Sequence, residues 1–261
     1  MTTPPRGPLA DAAWRRLHQA ACAPYGGSGR FAWMPWLPWH FAWYFARGKL
    51  AHDPVFRALL ERGDLAARER VVDIGCGQGL LASLLHACDE RHRPGPWPAA
   101  WPPAPAAVAY TGIELMARDV KRAERALQAL PLAPRFVCGD MRDAPLPACD
   151  AVVILDVLHY VDHAAQVGVL ARVRDALRPR GRLLLRVGDA ARRRPFAISQ
   201  WVDRVVTLTR GHRLPPTWGR RLVDWVALLE GLGFTVRPVP MSRGTPFANV
   251  LLVADLNRAA P

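Results

Sequence analysis

The chain has 261 residues, a formal charge of +13 at neutral pH and 51% apolar residues. That apolar content is enough to bury a substantial core and excludes global disorder. Lys49 and Lys121 are the only lysines, and every other basic residue is arginine. A positive surface suited to acidic partners and simple compositional drift are therefore both open readings of the charge. The five cysteines (Cys22, Cys76, Cys88, Cys138, Cys149) form no CxxC pair or metal-type spacing, which points to a reduced intracellular protein without a structural metal. "MTTPPRGPLADAAW" lacks the basic-then-apolar plan of a secretory leader. The aromatic run "FAWMPWLPWHFAWYFA" (31–46), broken by Pro35 and Pro38, is shorter than the ~20 residues a spanning helix needs. A cytoplasmic location is expected.

In chain order, helices are expected at 9–22 and 53–62, with the Trp-rich stretch between them. Pro38 suits the first turn of a helix over 38–47, which would be apolar nearly all round. From residue 71 strands and helices alternate. Strands are expected at 71–74, 108–113, 135–138, 151–155, 182–187, 234–239 and 249–253, and helices at 79–88, 116–130, 164–177, 196–209 and 219–231. This alternation is the pattern of a doubly wound α/β fold, a Rossmann-like, mainly parallel sheet with helices on both faces. Only "MSRGTPFA" separates the last two strands, so they should form an antiparallel hairpin. "RHRPGPWPAAWPPAPAA" (91–107) has six prolines and reads as a surface insertion, with Trp97 and Trp101 as tolerated loop residues. The expected organisation is an N-terminal helical, Trp-rich cap over 1–65 and a ligand-binding domain over 66–261, the latter carrying the insertion and a helical excursion at 192–221.

"VVDIGCGQG" (71–79) ends a strand in three alternating glycines, Gly75, Gly77 and Gly79. Leu80 stands where a dinucleotide fingerprint wants glycine or alanine, and the phosphate-loop pattern is absent. Asp73 would oppose a pyrophosphate but suits an ammonium, while helix N-terminal amides suit a carboxylate. A ligand with both is an amino acid, and S-adenosylmethionine presents that end. Glu114 ends strand two at "YTGIEL", placed to accept from ribose hydroxyls. It follows Gly79 by 35 residues, or 18 without the insertion, near the ~20 expected between glycine loop and ribose acid. Strand three runs into "FVCGDM", bringing Asp140 and Met141 to an adenine ring. Strand four runs into "AVVILDVLHYVD".

These pieces, with "LRPRGRLLL", resemble the class I S-adenosylmethionine-dependent methyltransferases over about residues 66–255. The resemblance implies a seven-stranded sheet with a final antiparallel hairpin. It assigns Asp73, Gly75, Gly77 and Gly79 to the methionine end of the cofactor, Glu114 to the ribose, and Asp140 with Met141 to the adenine. Leu155 and Asp156 would flank the methionine moiety and the acceptor mouth. His159 and Tyr160 are the catalytic candidates, as a base or as a wall of the pocket. No metal is called for.

In similar methyltransferases an N-terminal helical cap and an insertion after strand five close over the acceptor. The resemblance therefore implies an aromatic or lipidic acceptor held by the Trp-rich cap and the stretch 192–221, with Ile198, Trp201, Val202 and Val205 on one helical face. The alternative is that the Trp residues simply pack the cap onto the sheet. "WYFARGKLAHDPVFRALLERG" and "MSRGTPFANVLLVA" further resemble methyltransferases associated with bacterial aryl-polyene biosynthesis, implying an acyl chain on a carrier protein. Peripheral membrane contact through the Trp residues is a third use of the cap. The competing functions are an RNA methyltransferase, motivated by the charge, and a catalytically silent binding protein of the same fold. The first lacks the [DN]PP[YFW] pattern of base-amine enzymes and any appended RNA-binding module.

Overall fold

β-branched and leucine-rich runs become buried strands, as their length and turn-bounded spacing predict. The computed structural model describes residues 7–26, 40–190, 217–241 and 249–257. Among these residues seven strands are present: β1 (Arg70–Ile74), β2 (Ala109–Glu114), β3 (Arg135–Cys138), β4 (Cys149–Leu155), β5 (Leu177–Gly188), β6 (Phe234–Pro240) and β7 (Asn249–Leu256). Their order is β3-β2-β1-β4-β5-β7-β6. β1 with β2, β2 with β3, and β4 with β5 run parallel, whereas β7 runs antiparallel to both β5 and β6. This is the doubly wound sheet with a terminal antiparallel hairpin that the alternation predicts. The chain divides into two compact units, residues 1–140 and 141–261.

The first unit carries α1 (Pro8–Cys22), α2 (His40–His52), α3 (Pro54–Glu61), α4 (Leu80–Cys88) and α5 (Ala117–Leu127). α1 buries Trp14, Leu17 and Ala21, and the Ser83 hydroxyl of α4 donates to Ala21 O at 2.7 Å. α3 starts where Asp53 accepts from Val55 N and Pro54 fills the first position, the combination that satisfies a helix N-terminus. α2 begins at His40 and runs to His52, further than the expected 38–47. It buries Ala46 and Leu50 yet leaves Phe41 and Tyr44 about two-fifths exposed. α4 is buried on nearly every side, as its uniformly apolar sequence requires.

The proline-rich stretch departs from expectation. Trp101 and Pro105 are buried, Trp97 Nε1 donates to Pro102 O at 2.7 Å, and the two indoles meet edge to face at 5.2 Å. Pro102 lies so close to Gly63, which has a φ of +66°, that a Cβ there would come within 2.5 Å. The prolines stop the segment from joining a helix or a central strand, and Trp101, Pro102 and Pro105 pack it at its C-terminal half while much of the rest stays on the surface. It is a packed strap, not a loose excursion.

The second unit carries α6 (His163–Ala176), capped by Asp162 accepting from Ala165 N, and α7 (Leu222–Gly231). β5 begins at Leu177 rather than 182. "RPRG" is accommodated inside the strand by a register shift against β4 between Cys149 and Ala151, with Arg180 at a φ of +60°. The expected helix at 196–209 with Ile198, Trp201, Val202 and Val205, the residues Trp33, Trp36 and Trp39, and most of the β6–β7 connection lie outside the described residues. Among those described, no helix is long and apolar enough to cross a membrane.

Truncating Trp101 to Ala should cost about 3–5 kcal/mol in a denaturant titration, as expected for a buried aromatic. Substitutions at the exposed Ala99 and Ala100 should stay within about 0.5 kcal/mol. A neutral Trp101→Ala would return the stretch to a tolerated surface insertion.

Candidate functional site

In the first unit, β1 delivers Asp73 and then turns sharply through Gly75, Gly77 and Gly79, whose φ values are +75°, +55° and +77°. Such angles suit glycine and strain other residues. Gly75 N and Cys76 N both donate to Ile113 O of β2, at 2.8 and 3.2 Å, which clamps the turn to the neighbouring strand. The glycines have different reasons to be glycine. A Cβ on Gly79, the N-cap of α4, would lie 2.8 Å from Leu127 and Phe136, so this position is set by close packing. A Cβ on Gly77 would meet no described atom within 4 Å. Space is kept open beside Gly77.

Two carboxylates flank this turn. Asp73 is buried and accepts from the Tyr110 hydroxyl at 2.7 Å. Burial raises its pKa from 3.8 to about 7, against the lowering effect of Tyr110 and with a further push from Glu114. Glu114 accepts from Gly77 N through Oε2 and from Met116 N through Oε1, both at 2.9 Å. Burial raises its pKa as well, partly offset by those two amides. Each acid would gain from a cation or hydrogen-bond donor brought into the turn. Asp140, half-buried, closes the unit after Gly139 N, which donates to Glu114 O at 3.0 Å.

In the second unit, Met141 is half-buried, and its carbonyl and that of Ala144 accept from the Arg172 guanidinium, at 2.9 Å for Met141. Beyond β4, Leu155 is partly exposed and Asp156 adopts a φ of +60°. The Asp156 carboxylate is gripped on both oxygens by Arg186 of β5, with Nε to Oδ1 at 2.8 Å. Arg186 is itself 2% exposed. A charge buried this deeply requires its partner, so Asp156 has an architectural duty beside the expected one.

His159 and Tyr160 lie in a short 3-10 turn, Leu158–Tyr160, with ring centroids 4.3 Å apart. Burial lowers the His159 pKa, and the nearby Asp156 opposes that shift. The imidazole is thus held in its neutral form at neutral pH. Gln166, fully buried on α6, donates to Val161 O at 3.1 Å and Trp218 O at 2.8 Å, and accepts from Arg220 Nε at 2.8 Å. Trp218 N donates to His159 O at 2.8 Å. The segment after residue 216 is thereby fastened to the turn carrying the catalytic candidates.

Sequence reasoning missed Tyr110, Gln78, Gln166, Arg172, Arg186 and Trp218. Only Arg186 left a readable signal, a lone charge inside "LLLRVG". Among the described residues no group of three or more His, Cys, Asp or Glu could hold a metal ion.

Residues 106–235, about half of the chain, match the O-methyltransferase domain family. Acetylserotonin O-methyltransferase of Mus musculus is 51% identical over 51 residues, which are 20% of this chain and 13% of that protein. The chain therefore corresponds to a small part of the curated relatives it matches. Among solved structures, the mitomycin 7-O-methyltransferase superposes with a TM-score of 0.58 at 22% identity, covering 97% of this chain and 69% of that one. Human N-acetylserotonin methyltransferase in complex with S-adenosylmethionine gives 0.58 at 17% identity, covering 94% and 67%. At such identities the likeness establishes the fold, the Rossmann-like fold of methyltransferases. Residues 106–235 carry an O-methyltransferase domain of the S-adenosylmethionine-dependent kind.

The Asp73 shift has a definite sign. The folded state holds its proton more tightly than the unfolded chain, so its contribution is fully present below about pH 4 and is lost as pH rises through about 7. The melting temperature of the wild type, relative to Asp73→Asn, should fall between pH 5 and 8. A difference that is flat or rises would contradict the burial of this acid.

Proposed function

We propose that the chain is an S-adenosylmethionine-dependent O-methyltransferase acting on the hydroxyl of a small aromatic acceptor. The observation that carries this reading is the O-methyltransferase domain match over residues 106–235, which spans the tips of β2, β3 and β4. The residues of the glycine turn fit the cofactor. Gly77 leaves open space, and buried Asp73 and half-buried Glu114 supply carboxylate oxygens that can accept hydrogen bonds. Asp73 and the amides of the turn would hold the amino-acid end, Glu114 the ribose, and Asp140 with Met141 the adenine. When bound, the cofactor supplies an electrophilic methyl group on a sulfonium. The protein's own work is then mainly positioning, with removal of the acceptor's proton as the added step. His159 is assigned that proton, and Tyr160 a wall of the acceptor pocket.

The aromatic α2, with Phe41 and Tyr44 exposed, supports an aromatic acceptor. The same feature suits a narrower version in which the aromatic group rides on an acyl carrier protein, as the aryl-polyene resemblance implies. The matched relatives are named for acetylserotonin and mitomycin, which supports a small-molecule acceptor over nucleic acid.

Methyl-labelled S-adenosylmethionine, purified protein and a panel of phenols test the reading. Label should pass into organic-soluble product and fall by about a hundredfold or more in His159→Ala, the size of a lost general base. Label carried only in nuclease-sensitive material would replace the reading with RNA methylation. Cofactor binding with no transfer to any acceptor would favour a silent binding protein.

A further inference from the structure

Gln78 is the one residue of the glycine turn with a long side chain, and it is 3% exposed. Its contacts leave the turn altogether. The side-chain Nε2 donates to Ala42 O of α2 at 3.1 Å, while its backbone carbonyl accepts from the Tyr25 hydroxyl at 2.9 Å. The Ala42 carbonyl sets the amide's orientation, since the flipped form would place two acceptors face to face. Gln78 Oε1 is left buried with no hydrogen-bond partner among the described residues. A buried carbonyl in that condition is costly and calls for a reason.

The elements that Gln78 grips carry the aromatic surface. Trp43 packs on the backbone beside Tyr25, where a Cβ on Gly26 would lie 3.3 Å from the indole. Arg47 stacks over Trp43 at 4.5 Å. Phe41, Tyr44 and Phe45 occupy helical positions that share a face. Phe41 stacks with Phe45 at 6.0 Å and meets the Arg122 guanidinium at 4.8 Å. The aromatic helix is thus hydrogen-bonded to the middle of the turn, between the open Gly77 and the tightly packed Gly79.

We propose that Gln78 is a positioning residue that transmits occupancy of the glycine turn to α2, so that the aromatic acceptor surface is set in place only after the cofactor has bound. This rests on the cofactor assignment above. A ligand lying against Gly77 restricts the turn, the restricted turn fixes the Gln78 amide, and the amide fixes Ala42 and the helix that follows.

Amide hydrogen exchange over residues 41–50, with and without saturating S-adenosylhomocysteine, tests the link. The comparison uses wild type, Gln78→Met and Tyr25→Phe. Met conserves volume while removing both polar atoms. In the wild type, ligand should slow exchange in α2 by about fivefold or more, roughly one hydrogen bond's net worth. In Gln78→Met at saturation the slowing should drop to about twofold or less, the bond having been lost. Should that variant not fold, a reduced slowing in Tyr25→Phe supports the inference and an undiminished one overturns it. Full slowing in a folded Gln78→Met also overturns it. Calorimetric binding to the wild type without any slowing in α2 overturns the link alone. No calorimetric binding at all overturns the cofactor assignment and the link with it.

Discussion

A carboxylate removed from water must be neutralised, paired or met by donors, and the first unit is organised around two that need such treatment. Asp73 is met by Tyr110 across the neighbouring strand, and Glu114 by two amides, one of them from the glycine turn itself. Both still hold protons more tightly than free acids. The turn therefore has to be tight enough to bring Gly77 N to Glu114, and the glycines with left-handed backbones make that geometry accessible. Packing of α4 against Phe136 and Leu127 then holds the turn in place through Gly79. The result is a small acidic cradle, hydrogen-bonded to β2 on its protein side and open at Gly77.

The second unit solves a different problem with a similar device. Arg186 is a full charge inside a leucine-rich strand, and it makes a bidentate grip on Asp156. That grip fixes the left-handed residue where β4 ends, immediately before the turn bearing His159 and Tyr160. Gln166 then secures the far side of the same turn through its bonds to Val161 and Trp218. The two candidates are held by backbone bonds and neighbouring side chains.

What was legible in the sequence was local. Strand ends marked by glycine or an acid, apolar runs of strand length and a short final connection placed five strands to within about two residues, ordinary for element ends, while β7 runs three residues past its expected end. The fifth started earlier, because "RPRG" reads as a turn and only pairing with β4 carries it into the sheet. Asp73 and Glu114 were identifiable as strand-end acids, but their partners were not. Tyr110 lies 37 residues from Asp73, and Gln78 reaches Ala42 across 36. Nothing in the composition of "GCGQG" says that its glutamine points toward an N-terminal helix. The proline-rich strap misleads for a related reason: proline forbids helix and central strand but says nothing about burial, which Gly63 and Trp97 decide.

The central claim is that the space beside Gly77 is where the cofactor lies, and calorimetric titration of S-adenosylhomocysteine into Gly77→Asn tests it most directly. Asparagine tolerates the left-handed backbone and its side chain would project into space the protein does not use, so the fold should survive with a melting temperature near that of the wild type. Affinity should fall by about a hundredfold, the scale of a steric block worth a few kcal/mol. A folded Gly77→Asn that binds as tightly as the wild type would show that the acidic cradle serves the fold and that the cofactor lies elsewhere.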